Sequence, residues 1–181
     1  MRLAGLILLA TGLASCAAPV SHDPPGVAHI ARDVVLTLPK PPGYPEKREL
    51  HQIVTAKYGP RTMTFESLAE LSPERVHVTI ITPNGPRLAA IDWTAAGITS
   101  ERTPAIPASL RSENMLADLM LVFWPKAAIE QAIPGASVVE TADGRTVSAG
   151  GKTIAEVSGG TTRTLTNRAF GYTITMATVD E

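Results

Sequence analysis

An α+β fold built on one long, curved antiparallel β-sheet with a short helical insertion is what this chain predicts, and three observations carry it. From residue 51 onward, short β-branched runs alternate with turns of glycine, proline and asparagine, the pattern of antiparallel hairpins in a meander. At residues 112–124 the period changes, and a nearly all-apolar run reads as helix. Strands resume beyond it, giving strands, helices, then strands. A long antiparallel sheet must curl, and the inserted helices are the natural filling of its concave face.

The elements follow in order. Val34–Leu38 is a short first strand, stopped by Pro39. His51–Tyr58 and Thr62–Leu71 flank the turn Gly59-Pro60-Arg61. Arg75–Thr82 follows Ser72-Pro73-Glu74, Arg87–Thr94 follows Pro83-Asn84-Gly85-Pro86, and Ile98–Arg102 follows Ala95-Ala96-Gly97. Ser112–Trp124 is the main helix, with Ser112 as its N-cap, Glu113 in its first turn and Pro125 as its stop. Met115, Leu119, Val122 and Phe123 form one stripe, and Leu116, Met120 and Trp124 form an adjacent one. Only Asn114 and Asp118 mark a polar edge, so this helix must be covered on most sides, by protein or by an apolar ligand. Lys126–Ile133 is a second short helix ending at Pro134-Gly135. Ser137–Thr141, Arg145–Ser148, Thr153–Ser158, Arg163–Asn167 and Ala169–Ala177 are the remaining strands, with Gly150-Gly151 and Gly159-Gly160 as turns.

With 181 residues, one domain with a real core is the natural content. The composition, 44% hydrophobic and 18% charged, is too apolar for disorder and too interrupted for a multi-span membrane protein. A net charge of −1 and 4% aromatics give no basic surface or stacking platform for nucleic acid. The single cysteine excludes an internal disulfide.

That cysteine fixes an address. In MRLAGLILLATGLASC, Arg2 precedes an apolar run to Ala14, and Leu13-Ala14-Ser15-Cys16 follows the lipobox pattern. The run is too short to span a bilayer and reads as a cleaved export signal over residues 1–15, with Cys16 as the lipidation site. The proline-rich stretch that follows, through the Pro39–Pro45 cluster, reads as a lipidated tether over residues 16–48 ahead of one domain at 49–181. Alanine at positions 17 and 18 resembles the pattern of lipoproteins passed to the outer membrane, so the expected place is its inner leaflet, facing the periplasm.

Leu116-Ala117-Asp118-Leu119-Met120-Leu121-Val122-Phe123-Trp124-Pro125 resembles the central motif of the bacterial lipoprotein family DUF3261. Leu165-Thr166-Asn167-Arg168-Ala169-Phe170-Gly171-Tyr172-Thr173-Ile174 resembles that family's terminal strand pair. Phe65–Leu71 and Thr82–Leu88 fit as well. The family has no settled activity; its members are similar in layout to LolA and LolB, which hold acyl chains in an incomplete β-barrel closed by helices, and some are encoded with aryl polyene lipid clusters. The resemblance implies a non-enzymatic lipoprotein that binds an acyl or polyene lipid and assists its transfer or insertion. The candidate cavity lining is Met115, Leu116, Leu119, Met120, Phe123 and Trp124. The expected partners are the membrane, through the anchor, an acyl lipid and envelope lipid-transport proteins, with no nucleic acid. The alternative is an accessory lipoprotein that scaffolds an envelope complex around a filled core.

Enzyme chemistry is not expected. There is no Gly-x-Ser-x-Gly elbow, no phosphate-binding glycine loop, and lipidation consumes the only thiol. His22 and His29 fall in the tether, and neither they nor His51 and His77 have zinc-ligand spacing, so no metal or cofactor is predicted. Asp92 is an isolated carboxylate. Asp118 is expected to cap, to face water at a cavity mouth, or to pair with Arg102, Arg111 or Arg168. Trp93 and Trp124 read as core packing.

Overall fold

The computed structural model describes residues 23–107 and 110–179. The expected signal, Cys16 and His22 lie outside the described residues.

Ten strands form one antiparallel sheet. The first half is a meander of β3 (Arg48–Tyr58), β4 (Arg61–Leu71), β5 (Arg75–Ile81), β6 (Arg87–Thr94) and β7 (Gly97–Arg102). The second half is a meander of β8 (Ala136–Thr141), β9 (Gly144–Ala149), β10 (Lys152–Ser158), β11 (Thr162–Asn167) and β12 (Tyr172–Thr178). They join at β3 and β12, in register from Tyr58 opposite Tyr172 to Gln52 opposite Thr178. The spatial order is therefore β7-β6-β5-β4-β3-β12-β11-β10-β9-β8. The predicted final strand starts later than expected, because Ala169-Phe170-Gly171 makes the turn and Gly171 takes φ +70°.

This order explains where the helices lie. The edge strands β7 and β8 are consecutive in sequence, so the segment between them must cross from one edge to the other. That segment contains α1 (Ser112–Phe123) and α2 (Lys126–Ala132). α1 touches both β7 and β11, which are six places apart in the sheet. In a flat sheet they would lie about 29 Å apart at ~4.8 Å per strand, far wider than a helix of ~10 Å diameter. The sheet therefore curls around α1 without closing into a barrel.

The inward faces alternate as a half-buried sheet requires: Leu50 and Val54 on β3, Val76 and Val78 on β5, Ala89, Ile91 and Trp93 on β6, and Leu165 on β11 are all buried. α1 begins at Ser112, with Arg111 in the cap position and no side-chain cap, which corrects the expected Ser112 N-cap.

The expected tether through residue 48 is corrected as well. β1 (Val27–Ala31) and β2 (Val34–Thr37) form a separate antiparallel hairpin, in which Ala28, Ile30 and Leu36 are buried. The hairpin shares no ladder with the large sheet and packs on α1. The proline cluster behind it is strapped to the core. The Trp93 indole N–H donates to the Pro39 carbonyl at 2.8 Å, and that of Trp124 donates to the Pro42 carbonyl at 2.9 Å. Tyr44 is buried edge-on against Trp124, with ring centroids 4.9 Å apart, and Trp93 stacks on Trp124 at 5.6 Å. Proline lacks an N–H but keeps its carbonyl, so a proline run can still accept hydrogen bonds from a core.

Candidate functional site

The site begins with α1, whose sequence forces it inside. Leu116 and Met120 are 1% and 0% exposed, Leu119 and Trp124 are buried, and Met115 and Phe123 are half-buried against the same core. One apolar stripe meets the curved sheet, and the β1–β2 hairpin covers another part of the helix. The apolar circumference is thus satisfied by protein on both sides. Two shallow depressions, of about 320 and 300 Å³, lie on the described surface around Arg75 and are lined by residues of the sheet and its turns, not by α1.

One polar node sits inside this apolar packing. Asp118, 7% exposed, accepts a 2.6 Å hydrogen bond from the Tyr172 hydroxyl on β12. Asn167, fully buried at the end of β11, donates to the Ile30 carbonyl on β1 at 2.9 Å and to the Tyr172 oxygen at 3.3 Å. Its own side-chain carbonyl receives the Phe170 N–H at 2.8 Å. Helix, large sheet and hairpin are therefore tied at a single point, where the 116–125 and 165–174 stretches meet. Burial raises the Asp118 carboxyl to about 7, against the lowering effect of the Tyr172 hydrogen bond. Burial first, then the neighbouring Asp118 charge, pushes the Tyr172 phenol above its usual range.

None of the three arginines expected beside Asp118 is its partner. Arg102 donates to the Leu110 carbonyl, Arg111 pairs with Asp23 and Glu113, and Arg168 pairs with Glu156. Arg102 and Arg168 lie on exposed surface, and Arg111 is half-buried between its two carboxylates.

The far end of α1 carries no basic residue in its last turn, and strands supply the cations instead. Arg145 of β9 donates to the Trp124 carbonyl at 2.5 Å, and Arg163 of β11 donates to the Val122 carbonyl at 3.1 Å. Cations at the negative end of a helix are favourable. The Arg48 and Arg163 guanidinium carbons lie 5.7 and 5.1 Å from the Phe123 ring centroid. Burial pulls the Arg145 guanidinium below its usual range; Glu140, 3.2 Å away, opposes this and the charge of Arg163 adds to it.

On another part of the sheet, Asp92 Oδ1 is 3.1 Å from His77 Nδ1, and His77 Nε2 is 3.2 Å from the Thr79 hydroxyl. The order carboxylate, imidazole, hydroxyl is that of an acyl-transfer triad. However, Arg75 donates to Asp92 at 2.7 Å, and β5 is paired on both sides, by β4 and β6. The backbone N–H groups around Thr79 are thus committed to the ladder and leave no oxyanion donors. Burial raises the Asp92 carboxyl, but hydrogen bonds and charge from Arg75 and His77 outweigh it and hold the group below its ordinary value. This is a half-exposed cross-strand polar cluster. Among the described residues, no three His, Cys, Asp or Glu side chains gather as metal ligands, and no helix is long and apolar enough to cross a membrane.

Tyr172, Asn167, Arg48, Arg145 and Arg163 are the site residues that sequence reasoning missed. A signal existed for three of them: Asn167 and Arg163 alternate with buried Leu165, and Arg145 alternates with buried Val147, so each is a polar residue at an inward position.

No curated protein matches the chain. A family model, described as a protein of unknown function, matches residues 49–180, which include the whole ten-stranded sheet from its second residue and both helices. Spanning most of the chain, that match shows that the protein belongs to the DUF3261 family.

Proposed function

We propose that this protein is a non-enzymatic envelope lipoprotein, anchored through Cys16 to the outer membrane, that takes up an acyl or polyene lipid and assists its transfer or insertion. The observation that carries the reading is the packing of α1. A helix apolar on nearly every side lies between an unclosed curved sheet and a small hairpin that shares no ladder with it. Lifting the hairpin would bare an apolar stripe of α1 and the inner sheet face without breaking any pairing of the large sheet. An acyl chain offers the same apolar cover. A curved sheet with helices in its hollow resembles the layout in which LolA- and LolB-like carriers hold acyl chains, and in this reading Met115, Leu116, Leu119, Met120, Phe123 and Trp124 would line the cavity. Envelope lipid-transport proteins are the partners that such a carrier needs.

The second reading, an accessory lipoprotein scaffolding an envelope complex, is favoured by the close burial of Leu116, Met120 and Trp124. Fluorescence titration of the purified protein with a fluorescent C18 fatty acid, together with mass spectrometry of co-purifying lipid, separates the two. Saturable uptake is expected; no uptake and no bound lipid would leave the scaffold standing. Independently, Cys16→Ser should abolish incorporation of labelled palmitate and release the protein from the membrane fraction. Retained labelling would defeat the anchor.

A further inference from the structure

The C-terminal end of α1 is surrounded by more positive charge than its own capping needs. Arg145 and Arg163 each direct one N–H to a terminal carbonyl, of Trp124 and Val122. Arg48 makes no hydrogen bond to the helix: its contacts are the Tyr44 hydroxyl at 3.4 Å and the face of Phe123. Glu140 pairs with Arg145, but among the described residues neither Arg48 nor Arg163 has an ion-pair partner. The overall chain is slightly acidic, with net charge −1, so this local excess is not a general property of its surface.

The strands hold the three guanidinium groups in place. Arg48 begins β3, Arg145 lies near the start of β9 and Arg163 near that of β11. All three share the inward parity of buried neighbours: Leu50 beyond Arg48, Val147 beyond Arg145 and Leu165 beyond Arg163. They thus converge from the sheet on Phe123 and the carbonyls beside it. Two of the guanidinium groups lie over the Phe123 ring, a cation–π contact that restrains them and lowers the ordering cost of a bound anion. Arginine forks match the oxygens of a phosphate in pairs.

We propose that Arg48, Arg145 and Arg163, gathered around the C-terminal end of α1, form a binding site for a phosphate group. The inference stands apart from the acyl-lipid reading, since the site needs no opening of the core. A free phosphate and a phospholipid headgroup present the same chemistry to it.

Tryptophan fluorescence of the full-length protein in maltoside micelles tests the site, because the Trp124 carbonyl holds Arg145. One titration uses inorganic phosphate, and the other uses dihexanoyl phosphatidylglycerol below its own micelle concentration. A saturable response is expected to at least one of them. A response to inorganic phosphate identifies the free anion as sufficient, a response to the phospholipid alone that Arg48→Gln weakens identifies the headgroup, and one that Arg48→Gln leaves unchanged belongs to the acyl chains and overturns the site. Arg48→Gln should weaken binding roughly tenfold or more, the scale of one lost charge-assisted hydrogen bond. Adding Arg163→Gln should abolish it. Arg48 caps no carbonyl, so the single variant keeps the test readable if the double variant does not fold. Arg87→Gln, which only breaks an exposed pair with Glu101, should bind as wild type does. No response to either probe would overturn the site, as would equal affinity in Arg48→Gln and wild type, or an equal loss in Arg87→Gln.

Discussion

Met120→Ala is expected to destabilise the protein by about 2–5 kcal/mol, the usual cost of emptying a fully buried site of this size. Met120 is 0% exposed and lies on a helix enclosed by the large sheet and the N-terminal hairpin. The surroundings are built from two sheets and a stacked tryptophan pair, which limits how far they can collapse into the space. Met120→Gln should cost at least as much, because it adds an amide to a fully buried position in the hydrophobic core. Denaturant unfolding of the full-length protein in maltoside checks both. A loss under ~1 kcal/mol for Met120→Ala would mean that the helix is far less tightly held than its burial indicates.

Asp118→Asn is expected to stabilise the protein at pH 8 and to leave it nearly unchanged at pH 4. The folded protein holds the Asp118 proton more tightly than the unfolded chain does, since the carboxyl moves from 3.8 to about 7. Its favourable contribution is complete below pH 3.8 and is lost as pH rises through about 7, so wild-type stability falls across that interval. At ~1.36 kcal/mol per unit, the full span is on the order of 4 kcal/mol. Asparagine is neutral throughout and still accepts the Tyr172 hydroxyl, so the variant should lose this slope. Tyr172→Phe removes the one lowering influence on the carboxyl and should move the sensitive interval upward. Unfolding curves from pH 4 to pH 8.5 decide the matter. A wild type that gains stability with rising pH in this range would contradict the assignment.

The sheet was legible because its signals are local. Turn residues and alternating apolar positions lie within a few residues of one another, so the strands from His51 to Asn167 appear within a residue or three of their predicted limits. The helix was legible for the same reason, as was its need for cover on a second side. What covers it was not. The hairpin at residues 27–37 is short and bordered by prolines, and its role emerges only when Ala28, Ile30 and Leu36 meet a helix some 80 residues further on. Composition counted the following prolines as linker, since it registers their missing N–H groups and not the carbonyls that Trp93 and Trp124 use. Asp118 stands on an apolar helix where an arginine is an expected partner, yet its partner is a phenol 54 positions away, not a cation. A search for opposite charge passes over that choice. In a dry interior a hydroxyl can solvate a carboxyl without a second charge to bury.

The junction of β3 with β12 also sets an order in time. Every other strand pair of the large sheet joins neighbours in sequence, so each can form as soon as its second strand leaves the ribosome. This one joins residues 52–58 to residues 172–178, and β12 is the last of the described strands to be made. Until then the two half-sheets have no backbone bonds between them, and α1 has only part of its seat. The two halves of the sheet can therefore be joined, and the seat of α1 completed, only after residues 172–178 have been made. For the exported lipoprotein proposed above, such a delay would favour crossing the membrane before folding.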